Sequence, residues 1–120
     1  MKKLTFLLLF FFAIASVTAQ NISGDWEGAL DVQGTSLPLV FHFTKTDGGY
    51  TATMDSPLQQ AFGFPVDEIS FENNTLNLAI TAIGMTYSAT LDEKQSEFSG
   101  QFNQNGMELP LHLKKISKQE

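Results

Sequence analysis

Gly28-Ala-Leu-Asp-Val-Gln-Gly-Thr-Ser-Leu-Pro-Leu39 returns near the far end of the chain as Gly100-Gln-Phe-Asn-Gln-Asn-Gly-Met-Glu-Leu-Pro-Leu111. Gly28 and Gly100, Gly34 and Gly106, Leu37 and Leu109, Pro38 and Pro110, and Leu39 and Leu111 are identical between the copies. Leu30 and Phe102, and Asp31 and Asn103, keep their character. Each copy reads as a strand, a turn at the second glycine and a second strand of alternating apolar residues, so the chain opens and closes on the same β-hairpin.

Between the copies the alternation continues. Trp26, Gly28, Leu30 and Val32 share one face, as do Leu37, Leu39, Phe41 and Phe43, and then Tyr50, Ala52 and Met54. Further faces follow at Ile69 and Phe71, at Leu76, Leu78 and Ile80, and at Tyr87, Ala89 and Leu91. Phe98, Gly100 and Phe102 form the next, and Leu109, Leu111 and Leu113 the last. Turn signals separate them, Asp47-Gly48-Gly49 and Asn105-Gly106 being the strongest. This pattern predicts an all-β fold of eight strands, an antiparallel meander forming a small up-and-down, lipocalin-like barrel, with a two-sheet sandwich as second choice. The opposite faces carry Glu27, Asp31, Thr51, Asn77, Ser88 and Gln101, so the apolar side is the inside, the reverse of an outer-membrane barrel. Pro38 and Pro110 lack a ladder donor and are expected at a strand start or an unpaired edge position.

The N-terminus has a different composition. Lys2 and Lys3 precede an apolar run from Leu4 to Ala15, and Ser16-Val-Thr-Ala19 supplies small residues before a cleavage point. This is the pattern of a secretory signal peptide over residues 1–19, too short for a comfortable membrane span. The expected organisation is therefore this signal, one β-barrel domain over 20–115 and a polar tail over 116–120, in a protein exported to the periplasm or the medium with no membrane insertion after cleavage. The chain has no cysteine, which excludes disulfides, thiolate metal sites and cysteine nucleophiles. Without Lys2 and Lys3, five lysines face thirteen acidic residues and there is no arginine, a balance that excludes nucleic acid as a partner.

No catalytic constellation is legible. His42 lies between Phe41 and Phe43, and His112 between Leu111 and Leu113, so both are expected to point outward as isolated surface histidines. No Gly-x-Ser-x-Gly elbow and no metal-ligand spacing is present, and no cofactor is expected. The candidate binding residues are of two kinds. Trp26, Phe41 and Tyr87 belong to the aromatic interior, which could line a ligand cavity or simply fill the barrel. Leu58, Gln59, Phe62 and Phe64 belong to an irregular stretch, Asp55 to Val66, that is unusually apolar for a loop and either caps one barrel end or offers a contact surface.

Four segments, taken in order, carry a family resemblance: Gly24-Asp-Trp26-Glu-Gly28-Ala-Leu30, Asp55-Ser-Pro57-Leu-Gln59, Tyr87-Ser-Ala-Thr-Leu91 and Gly100-Gln-Phe-Asn-Gln104-Asn-Gly106-Met-Glu-Leu109-Pro-Leu111. Together they resemble the β accessory domain that precedes the catalytic domain in secreted bacterial α/β hydrolases of the serine aminopeptidase or esterase type. The resemblance implies a non-catalytic module associated with a hydrolase domain or its substrate. It transfers no activity, because the nucleophile, acid and histidine of such enzymes lie in the domain that is absent here. The alternative expectation is a lipocalin-like binder of a small apolar ligand.

Overall fold

A computed structural model describes residues 21–116; the signal peptide expected over 1–19 and residues 117–120 of the expected tail lie outside the described residues. Nine strands form one antiparallel sheet: β1 (Gly24–Val32), β2 (Thr35–Thr46), β3 (Gly49–Ser56), β4 (Ala61–Pro65), β5 (Glu68–Glu72), β6 (Thr75–Ile80), β7 (Met85–Leu91), β8 (Glu97–Gln104) and β9 (Met107–Lys115). The spatial order is β4-β3-β2-β1-β9-β8-β7-β6-β5. Every neighbour in the sheet is therefore a neighbour in the chain, except that β1 pairs with β9. The sheet curls into a half-barrel around an apolar core, close to the up-and-down barrel that the alternation predicts.

The two copies of the repeated hairpin have the same register. Gly28 faces Leu39 and Leu30 faces Leu37, while Gly100 faces Leu111 and Phe102 faces Leu109. Both turns place two residues at positive φ, Gln33-Gly34 in one and Asn105-Gly106 in the other, the backbone of the tight turn whose twist matches that of the strands. Pro38 and Pro110 sit within strands, opposite Ala29 and Gln101. The ladder from β2 to β3 begins only at Val40, and that from β9 to β1 covers only Lys114 and Lys115. Each proline thus has a paired strand on one side only, as its missing N–H requires.

Eight strands were expected and nine are present. The additional one, β4, lies in the segment that reads as irregular. Ala61 to Glu72 behaves as one bent strand that changes partner midway. Its first half pairs with β3, Pro65 facing Thr53, and the Val66 N–H continues that side by donating to Ala52 O at 3.0 Å. The Asp67 N–H then donates to Ala79 O at 3.1 Å, and β5 pairs with β6 from Glu68 onward. The Asp67 carboxylate fixes the crossing by accepting from the Thr81 N–H and hydroxyl at 2.9 and 2.7 Å. β4 and β5 are therefore the two edges of the sheet, and the seam between them is bridged by a bend in the chain rather than by a ladder.

The inside is filled with aromatic rings. Trp26 packs against Phe98 at 4.7 Å between centroids, Phe41 stacks on Phe43 and Tyr87, and Phe71 of β5 reaches across the seam to Tyr50 of β3. At this end the barrel is plugged by Ile22, whose N–H donates to the Tyr50 hydroxyl and whose carbonyl accepts from the Trp26 indole. Such a tight curl needs backbones in close contact. A Cβ on Gly28 would lie 2.2 Å from His112 O, and one on Gly100 would lie 2.0 Å from Ser88 O. The neighbouring atom is main chain in both cases and cannot rotate away.

Gly28→Ala and Gly100→Ala are accordingly expected to destabilise the fold by about 1–3 kcal/mol each, the usual cost of overpacking. Urea unfolding followed by Trp26 fluorescence would show this as a lower midpoint. A midpoint unchanged in both variants would contradict the close strand approach.

Candidate functional site

The end of the barrel opposite Ile22 is not filled. A cavity of about 320 Å³ opens there, walled by Leu30, Leu37, Leu39, Met54, Phe64, Ile83 and Phe102, with Ser56, Gln59 and Gln104 at its polar margin. Its walls come from both copies of the repeated hairpin, from β4 and from two short 3₁₀ turns, Pro57–Gln59 and Thr81–Ile83. Each turn ends on a left-handed residue, Gln60 or Gly84, whose N–H donates back to the carbonyl of Pro57 or Thr81. Two hydrogen bonds tie down the polar margin: the Ser56 hydroxyl donates to Gln59 Oε1 at 2.6 Å, and Gln104 Nε2 donates to Ile83 O at 3.0 Å.

Strand β4 makes the rim of this mouth, and a bulge shapes it. Met54 faces Phe64 and Ser56 faces Ala61, so Phe62 and Gly63 together stand opposite the single residue Asp55. Gly63 has φ +73°, the left-handed backbone that such a bulge assigns to glycine. In a regular strand Phe62 and Phe64 would share a face. The extra residue separates them: Phe64 turns into the cavity wall, and Phe62 stands outside with 66% of its surface exposed. Leu58, in the preceding 3₁₀ turn, is 62% exposed. Of the residues proposed from the sequence, Gln59 and Phe64 therefore line the cavity, and Leu58 and Phe62 stand exposed beside it. Trp26, Phe41 and Tyr87 lie deeper, each with 0% exposure. The Tyr87 hydroxyl donates to Leu111 O at 2.7 Å, and burial raises its pKa. These three rings fill the barrel and offer no surface to a ligand.

His42 is a correction to the sequence reading. Its side chain points outward as expected, but it is not isolated. Nδ1 lies 2.8 Å from Asp25 Oδ1 on β1, and Nε2 lies 2.8 Å from Asp55 Oδ2 on β3. Asp55 uses its other oxygen to accept the Gly63 N–H at 2.8 Å, the donor that the bulge removes from the ladder. One unit, Asp25–His42–Asp55–Gly63, thus ties four consecutive strands of the sheet together on its outer face. The hydrogen bonds to Asp55 and Asp25 raise the His42 pKa above its ordinary 6.5, and those from His42 and the Gly63 N–H lower that of Asp55 below 3.8.

The two carboxylates occupy opposite nitrogens of one ring, and among the described residues no three His, Asp or Glu side chains converge as metal ligands would. His112, the other histidine, lies with Nδ1 3.1 Å from the Ser99 hydroxyl on the exposed face, with no carboxylate partner among the described residues. A larger cleft, about 590 Å³, lies at the seam between the β2–β3 turn and β5, but its walls carry Lys45, Asp47 and Glu72 and it opens broadly to solvent. The mouth is the more enclosed and apolar of the two. The chain matches no protein-family model, no curated protein and no solved structure.

The pH dependence of stability follows from the two shifts. His42, raised when folded, contributes stability that is full below 6.5 and is lost as pH rises through its folded pKa. Asp55, lowered when folded, contributes stability that is present above 3.8 and is lost as pH falls through its folded pKa. Side chains of His42 and Asp25 are more than a third exposed, so solvent screening holds the histidine contribution to about 1 kcal/mol or less. Between pH 6 and 9, urea midpoints of the native chain should fall relative to those of His42→Gln. Parallel curves for the two proteins would show that the imidazolium adds nothing.

Proposed function

We propose that this chain is an exported, non-catalytic binding module that takes a small apolar molecule, or the apolar end of a larger one, at the mouth of its half-barrel. The observation that carries the reading is the unfilled, apolar cavity of about 320 Å³ at one end of an otherwise packed interior. That volume is at the low end of the range for ligand pockets. Burying an apolar group against Leu37, Phe64, Ile83 and Phe102 removes hydrocarbon from water on both sides, worth about 25 cal/mol per Å² of apolar surface covered. Ser56 bonds to Gln59, and Gln104 donates to the Ile83 carbonyl, which suits a ligand recognised by shape more than by charge. The acidic surface, with no arginine, suits a neutral or cationic ligand over an anionic one.

A second reading is favoured by Leu58 and Phe62, which stand beside the cavity and are solvent-exposed. Two large apolar side chains exposed on one short segment suit a contact surface, and the resemblance noted above makes a secreted hydrolase domain, or its substrate, the partner of choice. On that reading the module is an accessory domain and the cavity receives a side chain of the partner.

The uncharged fluorescent probe N-phenyl-1-naphthylamine is expected to bind the mature chain saturably, one molecule per chain. Ile83→Trp, which fills the mouth from its half-buried wall, should weaken binding at least about tenfold, a loss of 1.4 kcal/mol, with an unchanged unfolding midpoint. Leu58→Ser with Phe62→Ser should leave probe affinity within about twofold, while abolishing association with a hydrolase domain of the serine aminopeptidase type if the second reading holds. Absence of saturable probe binding would remove the first reading.

A further inference from the structure

We propose that Asp25, His42 and Asp55 form a proton-operated latch on β4, so that the mouth holds its apolar ligand while His42 is protonated and releases it when His42 is neutral. The inference rests on the reading of the mouth as a ligand site and adds its regulation.

The argument begins at the bulge. β4 is an edge strand of five residues, paired on one side only and interrupted by the extra residue. Short edges of this kind have little stability of their own. What holds the bulge is the Asp55 carboxylate, through the Gly63 N–H. Gly63 lies between Phe64 of the wall and Phe62 of the rim, so the position of that N–H sets the position of both rings. Asp55 is in turn held by His42, and His42 by Asp25.

A protonated imidazole has two donors and satisfies both carboxylates at once, with charge assistance on each side. A neutral ring has one donor. Whichever nitrogen keeps its hydrogen, one carboxylate then faces a lone pair, and two negative charges flank an uncharged ring. On β1 the same face also carries Glu27, opposite Val40, and Asp31, opposite Ser36; on β9 the lysines are Lys114, across from Glu27, and Lys115, whose side chain passes Gly24 next to Asp25 and stands over the Trp26 ring. From β3 the residue opposite His42 is Thr53, and from β4 the residue opposite Thr53 is Pro65. The carboxylate that loses its donor turns towards water. When this is Asp55, the Gly63 N–H loses its acceptor, the bulge opens and the Phe64 wall moves away from the cavity. The hydrogen bonds that raise the His42 pKa place this event above its ordinary 6.5.

Two measurements on the mature chain test the proposal separately from the ligand reading. The first is amide hydrogen exchange of Gly63 and Phe64 in the ligand-free protein, corrected for intrinsic base catalysis and referred to the β5 amides. Protection at Gly63 and Phe64 is expected to fall as the His42 ring resonances titrate, with β5 unaffected. In Asp55→Asn, which keeps an acceptor for Gly63 but removes the charge, protection should not follow pH. The second is the dissociation constant of N-phenyl-1-naphthylamine, expected to rise at least about fivefold across the same titration, at the low end of ordinary coupling between sites, and to be flat in Asp55→Asn and His42→Gln. Exchange that ignores the His42 titration overturns the latch, whether or not the probe binds. Exchange that follows it without any probe binding keeps the latch on β4 and removes the ligand. Probe affinity independent of pH in a native chain whose exchange does respond overturns the coupling to the mouth.

Discussion

The architecture depends on a change of hydrogen-bonding partner between two adjacent residues. Val66 donates to β3 and Asp67, the next residue, donates to β6. The bend brings together the two ends of a sheet that would otherwise remain apart, and Tyr50 and Phe71 can then pack across the seam. It also decides where openings occur. On one side of the crossing β4 has no strand beyond it, and on the other β3 runs past β5 without a ladder. The mouth cavity is bordered by Ala61 and Phe64 before the crossing, and the polar cleft by Ile69 to Glu72 after it.

The bulge next to this crossing shows how a local irregularity acquires chemistry. One residue out of register gives β4 an outward ring, an inward ring and an N–H that no strand can satisfy. At this exposed rim water is the alternative acceptor, so the protein hydrogen bond contributes about 0.5–1.5 kcal/mol. A carboxylate satisfies it, the carboxylate takes a histidine, and the histidine takes a second carboxylate. The sole titratable group in this protein with two acidic partners at 2.8 Å among the described residues is thus attached to the least supported strand of the sheet.

Alternation along the chain was enough to find eight strands and their inner faces, because burial on one side of a sheet acts on every second residue. The paired registers of the two hairpins were legible for the same reason, with Gly34 and Gly106 marking the turns. Strand β4 was hidden because its bulge breaks the rhythm at Gly63, so Phe62 and Phe64 look like two apolar loop residues. The His42 unit was hidden for a different reason: Asp25 and Asp55 lie on separate strands, and only the three-dimensional register brings them to the two ends of one ring. Leu58, Gln59, Phe62 and Phe64 could be singled out because apolar residues outside the alternating pattern are conspicuous. Trp26, Phe41 and Tyr87 were assigned correctly to the interior, but periodicity carries no information about volume and could not say that the space around them is full.

The pairing of β1 with β9 joins the first strand to the last, through Trp26 opposite Lys115 and Glu27 opposite Lys114. Every other ladder links strands adjacent in the chain, and such contacts form rapidly because little chain must be ordered to make them. Folding is therefore divided between two local meanders, β1 to β4 and β5 to β9, and one closure that spans nearly the entire domain. Trp26 is half of that closing pair and is also the ring against which Phe98 and Ile22 settle. The core at the plugged end thus cannot be completed until the last strand has arrived, and closure of the sheet and burial of its only tryptophan are one event.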